Sequence, residues 1–293
     1  MLDHNTREQV LELLRDKGFA AQEINSCQML GGGSINDVYQ LNIAGELFVL
    51  KANTPGVYPQ MFEKEAKGLA LLKSESGFKI PEVIGFVENE STCFLLLEYI
   101  PTGNPSNDFW ESFAEKLAQL HQVKSRNDKF GLGYDNYIGS LHQANDWEND
   151  WPKFYVEHRL VPLFEKAVNL FDKNERKHLE NLINRLEDLI PKESSVLVHG
   201  DLWSGNYLVS DQNEPTLIDP AVYYGHREME LAFMQMFGGY DSSLFETYDE
   251  ILPLEKGFES RKEIHQLYPL LVHSVLFGGL YVQQVKGILR KFS

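Results

Sequence analysis

The apolar rhythm of the chain changes at Pro101, Thr102 and Gly103, and that change limits the architectures open to it. Upstream, short runs of strand-like alternation are separated by turn residues. Downstream, apolar residues recur at helical spacing. A Pro-Thr-Gly junction between the two is a hinge composition. The chain therefore reads as a small mixed lobe over 1–100, a hinge, and a larger helical lobe over 101–293.

Within the first lobe, residues 5–18 have the spacing of an amphipathic helix, with Val10, Leu13 and Leu14 on one side. A hairpin follows, with one arm from Val38 to Ile43, a turn over Ala44–Glu46 and a return arm from Leu47 to Leu50. "QMFEKEAKGLALLKSE" places Phe62, Ala66, Leu69 and Leu72 on one helical face. Two more strands are expected between Pro81 and Ile100, joined at Asn89–Ser91, with Phe94–Leu97 wholly internal. Past the hinge, helices are expected over 109–123, 151–170, 175–189, 226–237 and 261–289. No tandem repeat or low-complexity tract is present.

One stretch of the helical half breaks this pattern. In "LVHGDLWSGNYLV", residues 197–209, two apolar runs that read as buried strands enclose a polar insert. A loop held at both ends is where a rigid scaffold can present groups in fixed positions.

Composition removes several functional classes. Of 293 residues, 27 are Lys or Arg and 43 are Asp or Glu, a net charge of −16, so no broad nucleic-acid surface is expected. The start, MLDHNTREQV, lacks the basic flank and apolar core of a leader, and no later run suits a membrane span. A cytoplasmic protein without membrane association is expected, and the sequence leaves the oligomeric state open, a monomer among the options. Cys27 and Cys93 lack the paired spacing of a redox or zinc motif, and the nine histidines show no H-E-x-x-H arrangement.

The remaining polar groups form an ordered series. Gly31–Gly33 precede the hairpin, where missing side chains would let backbone N–H groups approach a phosphate. Lys51 closes the return arm, and Glu65 on the following helix can reach back to orient its ammonium. Asp201 and Asn206 lie in the polar insert, and Asp219 follows another short apolar strand in "TLIDPAVYYGHRE". Each has a structural reading too: the glycines make a turn, Lys51 faces solvent, Asp201 caps a turn, Asn206 satisfies loop N–H groups and Asp219 ends a strand. Taken in order, they match the division of labour in phosphoryl transfer. One aspartate accepts the proton of the attacking hydroxyl, and an asparagine and a second aspartate hold Mg²⁺. Both offer the oxygen donors that a hard cation takes.

"HGDLWSGN" at 199–206 and "IDPAVYYGHREMELAFMQMFGG" at 218–239 resemble the fructosamine kinase (ketosamine 3-kinase) family, within the protein-kinase-like fold shared with aminoglycoside phosphotransferases and choline kinases. "GGGSINDVY", "FEKEAKGLALL", "FLLLEYI", "LAQLH", "GLGYDNYIGSLHQAN" and "LVHSVLFGGLY" extend the resemblance over nearly the whole chain. It implies an α+β, two-lobed fold with a small antiparallel-sheet N-terminal lobe and a larger, mainly helical C-terminal lobe. It further implies that Lys51 and Glu65 position phosphate, that Asp201 is the base, and that Asn206 and Asp219 are metal ligands.

ATP and Mg²⁺ are the expected cofactors. The nucleotide would meet Gly32, Gly33 and Ser34 at the glycine turn, and Glu98, Tyr99 and Ile100 at the adenine, in a cleft between the lobes. The acceptor would be a small-molecule ketoamine or a glycated protein lysine, phosphorylated on the sugar 3-hydroxyl. Trp203, His226, Arg227, Glu228, Asp135 and Asn136 are the residues expected to touch it. A kinase for another small hydroxylated amine, an aminoglycoside or a choline-like alcohol, is the alternative. The chain lacks the G-x-G-x-x-G loop and the Asp-Phe-Gly element of protein kinases, so no activation segment switched by phosphorylation is expected.

Overall fold

The computed structural model describes residues 2–32 and 35–293, which form two compact units. The first runs to Phe109 and includes Tyr207–Pro220; the second holds Trp110–Asn206 and Ala221–Ser293. This differs from a single cut at residue 100, and backbone hydrogen bonds give the reason. The Gly103 N–H donates to the Val209 carbonyl (2.9 Å), Asp211 N–H to Pro101 (2.8 Å) and Leu217 N–H to Lys79 (3.0 Å). These bonds fasten the 207–220 hairpin to the first unit. Among the described residues, no helix is long and apolar enough to cross a membrane.

The first unit contains α1 (His4–Asp16), β1 (Ser26–Gly32), β2 (Asp37–Ile43), β3 (Glu46–Ala52), α2 (Met61–Glu75), β4 (Val83–Glu88) and β5 (Cys93–Glu98). Its five strands form an antiparallel sheet in the order β1-β2-β3-β5-β4. The β2–β3 turn needs only Ala44 and Gly45, both at positive φ (54° and 90°), which suits the twist of a two-residue hairpin. α1 starts where Asp3 accepts the Thr6 N–H, and it buries Val10, Leu11 and Leu14 with Leu41, Phe48, Leu50, Phe94 and Leu96. α2 has no side-chain cap of its own. The Glu88 carboxylate on β4 instead accepts the N–H groups of Phe62 and Glu63, fixing the start of the helix against the sheet.

The second unit opens with α3, which begins at the last residue of the first unit (Phe109–Leu120), and continues with the hairpin β6 (Asn136–Ile138) and β7 (Leu141–Gln143). Next come α4 (Trp151–Tyr155), a π-helical turn (Val156–Leu160), α5 (Val161–Lys166), α6 (Lys173–Ile183) and α7 (Leu186–Leu189). β8 (Val196–Val198) leads into the polar insert, and β9 (Tyr207–Val209) with β10 (Pro215–Leu217) makes the hairpin of the first unit. The second unit ends with β11 (Tyr223–Gly225), α8 (Arg227–Phe237), α9 (Ser242–Ile251), α10 (Phe258–Phe277) and α11 (Leu280–Phe292). α10 packs on α8, α11 and α5.

Several sequence expectations change. The single helix expected over 151–170 is broken by the π turn, that over 175–189 divides into α6 and α7 at residues 184–185, and that over 261–289 is broken by Gly278 and Gly279, each at φ 64°. The runs flanking the polar insert, both expected to be buried strands, belong to different ribbons: β8 pairs with β11, and β9 with β10. β9 is only half-buried, whereas β8 is buried throughout.

Candidate active site

Strand alternation positions the first group. Leu50 enters the α1-side core, so its neighbour Lys51 points to the opposite face, the side on which α2 carries Glu65. The Lys51 Nζ lies 2.5 Å from Glu65 Oε1 and 2.6 Å from Asp219 Oδ1, and the lysine is only 5 % exposed. Burial alone would push the ammonium's pKa down. The carboxylates of Asp219 and Glu65 outweigh that and hold it well above the ordinary lysine value. Asp219 keeps 41 % of its side chain exposed. It sits at φ 57° immediately before Pro220, a left-handed conformation that a non-glycine residue holds only where the surroundings enforce it. Lys51 thus meets Glu65, the partner expected of it, and also Asp219, which the sequence presents only as a metal ligand.

Asp201 and Asn206 meet in the second unit. The Asn206 amide nitrogen donates to the Asp201 carbonyl (2.8 Å) and to its Oδ2 (3.0 Å), while Asn206 itself is 5 % exposed. The loop before them depends on Gly200. At φ 84° a Cβ there would fall 2.2 Å from the Ala221 carbonyl oxygen, so only glycine fits. Its N–H donates to Glu230 Oε1 (2.8 Å), and the His199 N–H to Glu230 Oε2 (3.2 Å). His121 Nε2 lies 3.0 Å from the same carboxylate, and its Nδ1 is 2.8 Å from the Tyr248 hydroxyl. Burial works against charge on Glu230, yet the bonds from His121 and Gly200 keep its pKa below the usual glutamate range.

Sequence reasoning missed Glu230 and His121. The available signal was a carboxylate among buried helix positions, because Met229, Leu231, Ala232, Phe233 and Met234 surround it in the core. A charge in such a row needs a partner.

The expected nucleotide residues divide. Gly32 ends β1 opposite Asp37, while Gly33 and Ser34 lie outside the described residues. The Glu98 carboxylate accepts the Glu82 N–H (3.0 Å), which ties it to the strand end. β5 ends at Glu98, so the backbone of half-buried Tyr99 and buried Ile100 lies outside the ladder.

Four of the six expected acceptor residues are built into the fold. His226 is fully buried and caps α8 by accepting the Glu228 N–H at Nδ1, with Nε2 3.1 Å from the Pro191 carbonyl. Arg227 grips Glu193 through two 2.9 Å bonds and donates to the carbonyls of Leu252 (2.6 Å) and Pro253 (2.7 Å). Glu228 is bound by Arg261 and lies 3.3 Å from His265 Nε2. Asn136 donates to the Val222 carbonyl (2.8 Å) and accepts from Gln143 (2.7 Å) and Asn145 (3.0 Å). These four hold elements together and have no polar atom to spare for an acceptor. The donor atoms of His226, Glu228 and His265 lie within 4.8 Å of one another, but the Arg261 guanidinium already occupies the Glu228 carboxylate. Asp135 accepts the Asn145 N–H (2.9 Å) and keeps 38 % of its side chain exposed. Trp203 is 42 % exposed. A Cβ on Gly205 would fall 2.2 Å from its ring, so that glycine makes room for the indole.

The fructosamine kinase family model matches residues 6–293. A Vibrio parahaemolyticus protein named "Probable ketoamine kinase" is 34 % identical over 96 % of this chain and 97 % of its own. The chloroplastic protein-ribulosamine 3-kinase of Oryza sativa subsp. japonica is 32 % identical over 92 % of this chain and 79 % of its own. Among solved structures, a candidate fructosamine-3-kinase of Thermobifida fusca superposes with a TM-score of 0.87 at 30 % identity, covering 99 % of this chain and 98 % of its own. The aminoglycoside phosphotransferase APH(4)-Ia, in complex with AMP-PNP and hygromycin B, has the same fold, with a TM-score of 0.65 at 16 % identity over 98 % of both chains. With the family model spanning almost its full length, this chain belongs to the fructosamine kinase family.

Proposed function

We propose that the chain is an ATP-dependent kinase that phosphorylates a ketoamine, of fructosamine or ribulosamine type, on the sugar 3-hydroxyl. The observation that carries the reading is Lys51, buried and held between Glu65 and Asp219. A lysine in this setting stays charged and immobile, as a group that orients phosphate must be. The relatives named as ketoamine and protein-ribulosamine kinases supply the acceptor class.

Asp201 accepts the proton of the attacking hydroxyl as the oxygen bonds to the γ-phosphorus and the bond to the β-phosphate oxygen breaks. The Asn206 amide restrains the Asp201 carboxylate through its 3.0 Å bond, so the base does not have to be ordered during the reaction. Lys51 fixes the phosphates, and Glu65 fixes Lys51. Asn206 and Asp219 are each suited, by their own donors, to serve as a Mg²⁺ ligand: the amide nitrogen of Asn206 is engaged with Asp201, so its oxygen is the donor on offer, and Asp219 has a partly exposed carboxylate. Mg²⁺ would offset charge on the phosphates. Tyr99 and Ile100 offer backbone groups to the adenine edge, and Trp203 and Asp135 remain to meet the acceptor.

An ATP-consumption screen tests the reading, with ribose-, erythrose- and fructose-derived ketoamines, their parent amines, aminoglycosides and choline as acceptors, and product mapping to locate the phosphate. Turnover confined to ketoamines, with phosphate on the 3-hydroxyl, is expected. Turnover confined to aminoglycosides or choline would overturn the acceptor and leave the phosphotransfer chemistry standing.

A further inference from the structure

The π-helical turn between α4 and α5 carries side chains that the chemistry described above does not use. π turns are rare and occur mostly as single turns, frequently at functional sites. This one, Val156–Leu160, places Glu157 and His158 beside Glu148. One donor atom from each of the three lies within 4.8 Å of the other two. Glu148 comes from a separate segment, where a reciprocal pair of 2.9 Å backbone bonds with Phe130 fixes it. The Phe154 ring lies against His158, with centroids 5.1 Å apart.

The imidazole is the informative member. Its Nε2 is shut off from solvent and has no hydrogen-bond partner. Glu148 Oε1 stands 3.9 Å from it, too far for a hydrogen bond. A buried nitrogen left unpaired is costly, so the position calls for a group that the chain does not supply. Two donors held by one Zn²⁺ at about 2.0–2.2 Å stand roughly 3.3 Å apart, so an ion would draw these side chains together by at most about 1.5 Å. The carboxylates already attract a cation. The Lys153 ammonium lies 2.7 Å from Glu148 Oε2 and 3.9 Å from Glu157 Oε2, and its bond holds the Glu148 carboxyl below the usual glutamate range. Lys153 and Glu157 are both half exposed, which leaves a way in for an ion and a way out for the ammonium.

We propose that His158, Glu148 and Glu157 bind a divalent transition-metal ion of Zn²⁺ type, at a site that shares no residue with the one proposed for Mg²⁺. One imidazole and two carboxylates suit such an ion, whereas Mg²⁺ takes oxygen donors and gives up its waters reluctantly. Three protein donors leave the fourth tetrahedral position to water. The ion takes the place of the Lys153 ammonium between the carboxylates and gives the unpaired nitrogen a partner. It also fastens the π turn to the segment ahead of α4. The turn grips that segment already through Arg159, which donates to the Ala144 carbonyl and to Asn145 Oδ1, each at 2.7 Å. The Asn145 N–H in turn is accepted by Asp135 (2.9 Å), so the ion braces the stretch on which Asp135 is held.

The test titrates metal-free protein with Zn²⁺, and with Co²⁺ as its spectroscopic reporter, in excess Mg²⁺. The wild type should take up Zn²⁺ that Mg²⁺ does not displace, and Co²⁺ should show the visible absorption of a four-coordinate site. Zn²⁺ should also raise the melting temperature, because it binds the folded chain. Disturbing a residue behind a metal ligand typically costs about 10- to 100-fold in affinity, so removal of a ligand in His158→Ala should weaken Zn²⁺ binding at least about tenfold. Glu157→Gln should weaken it too, and its half-exposed side chain carries the test if His158→Ala does not fold. Lys153→Met removes the competing ammonium and should tighten binding a few-fold. Zn²⁺ uptake that survives His158→Ala and Glu157→Gln unchanged, or that Lys153→Met weakens, would overturn the site, as would no uptake by the wild type.

Discussion

Two clusters of charged side chains lie in or beside the sequence motifs, and they are built on opposite plans. Around Lys51, two carboxylates share one buried ammonium, and one of them, Asp219, remains 41 % exposed. Around Glu228 the account is closed: Arg261 and His265 engage its carboxylate, and the Glu228 side chain is 0 % exposed. Arg227 is similarly spent on Glu193 and two backbone carbonyls. An ion-pair cluster with spare acceptors and an open edge can still bind something. A closed one has used its charges to hold elements in place, whatever motif it belongs to.

That contrast predicts different kinds of damage. The largest effect on chemistry is expected at Asp201, where Asp201→Asn keeps the side-chain shape and removes the proton acceptor. The kcat should fall by about 10²- to 10⁴-fold, with nucleotide affinity retained. Steady-state kinetics alongside nucleotide titration checks this, and near-normal turnover by the folded variant would remove Asp201 from the mechanism.

Next come the two clusters themselves. Glu228→Gln leaves the Arg261 guanidinium without its carboxylate and should cost about 3–5 kcal/mol of stability, while the folded fraction turns over with a kcat within a few-fold of wild type. Lys51→Met should also destabilise, because it leaves the Glu65 carboxylate buried. Pairing it with Glu65→Leu should restore stability without restoring activity. If the double variant regained turnover, or if Glu228→Gln abolished kcat without affecting stability, the assignment of working and scaffolding clusters would be reversed.

Acid sharpens the same comparison. Burial and the neighbouring His265 lower the His226 pKa from 6.5 to about 4. Between those values the unfolded chain binds a proton that the folded chain refuses, so stability is lost as pH falls through that window, by up to about 3 kcal/mol. Burial would raise the Glu228 pKa, but the bonds from Arg261 and His265 pull it from 4.5 to about 2. Its contribution is therefore present above 4.5 and lost only as pH drops toward 2. Denaturant titrations at pH 7, 5.5 and 4 should show the first loss, and His226→Asn, which retains a capping side chain, should flatten it. An unchanged slope in that variant would assign the acid sensitivity elsewhere.

How much of this was legible in the sequence depends on the range of the interactions. The β2–β3 hairpin, α2 and the Lys51–Glu65 pair follow from local period and from a strand feeding a helix, so their residues could be named from the pattern. The union of the 207–220 hairpin with the first unit rests on backbone bonds to Lys79 and to Pro101 and Gly103, more than 100 residues away, which no window reveals. The "GHRE" run was read as acceptor-binding because a motif rich in donors and acceptors looks the same whether its partners are a ligand or Glu193 and Arg261. Burial decides between these, and burial is a property of the assembled fold.

The smallest predicted effect concerns Glu230, whose carboxylate accepts the N–H groups of His199 and Gly200 just ahead of Asp201. Glu230→Gln keeps one acceptor oxygen and loses the charge; because the Gly200 N–H uses Oε1 and the His199 N–H uses Oε2, one of the two bonds is retained in weaker form and the other is lost. A kcat decrease of about tenfold is expected, in line with the roughly 1.5–3 kcal/mol typical of hydrogen bonds to charged groups. The KM for ATP should be unchanged, because Lys51 is held by other residues. Thermal denaturation alone would not separate this from a general loss of packing, but a double-mutant cycle does. If Glu230 acts only by holding the loop that aims Asp201, then in the Asp201→Asn background its substitution should cost almost nothing more in kcat. Two full, additive losses would mean that Glu230 supports turnover by a route that bypasses Asp201, and the distinction between scaffold and chemistry would have to be redrawn at that residue.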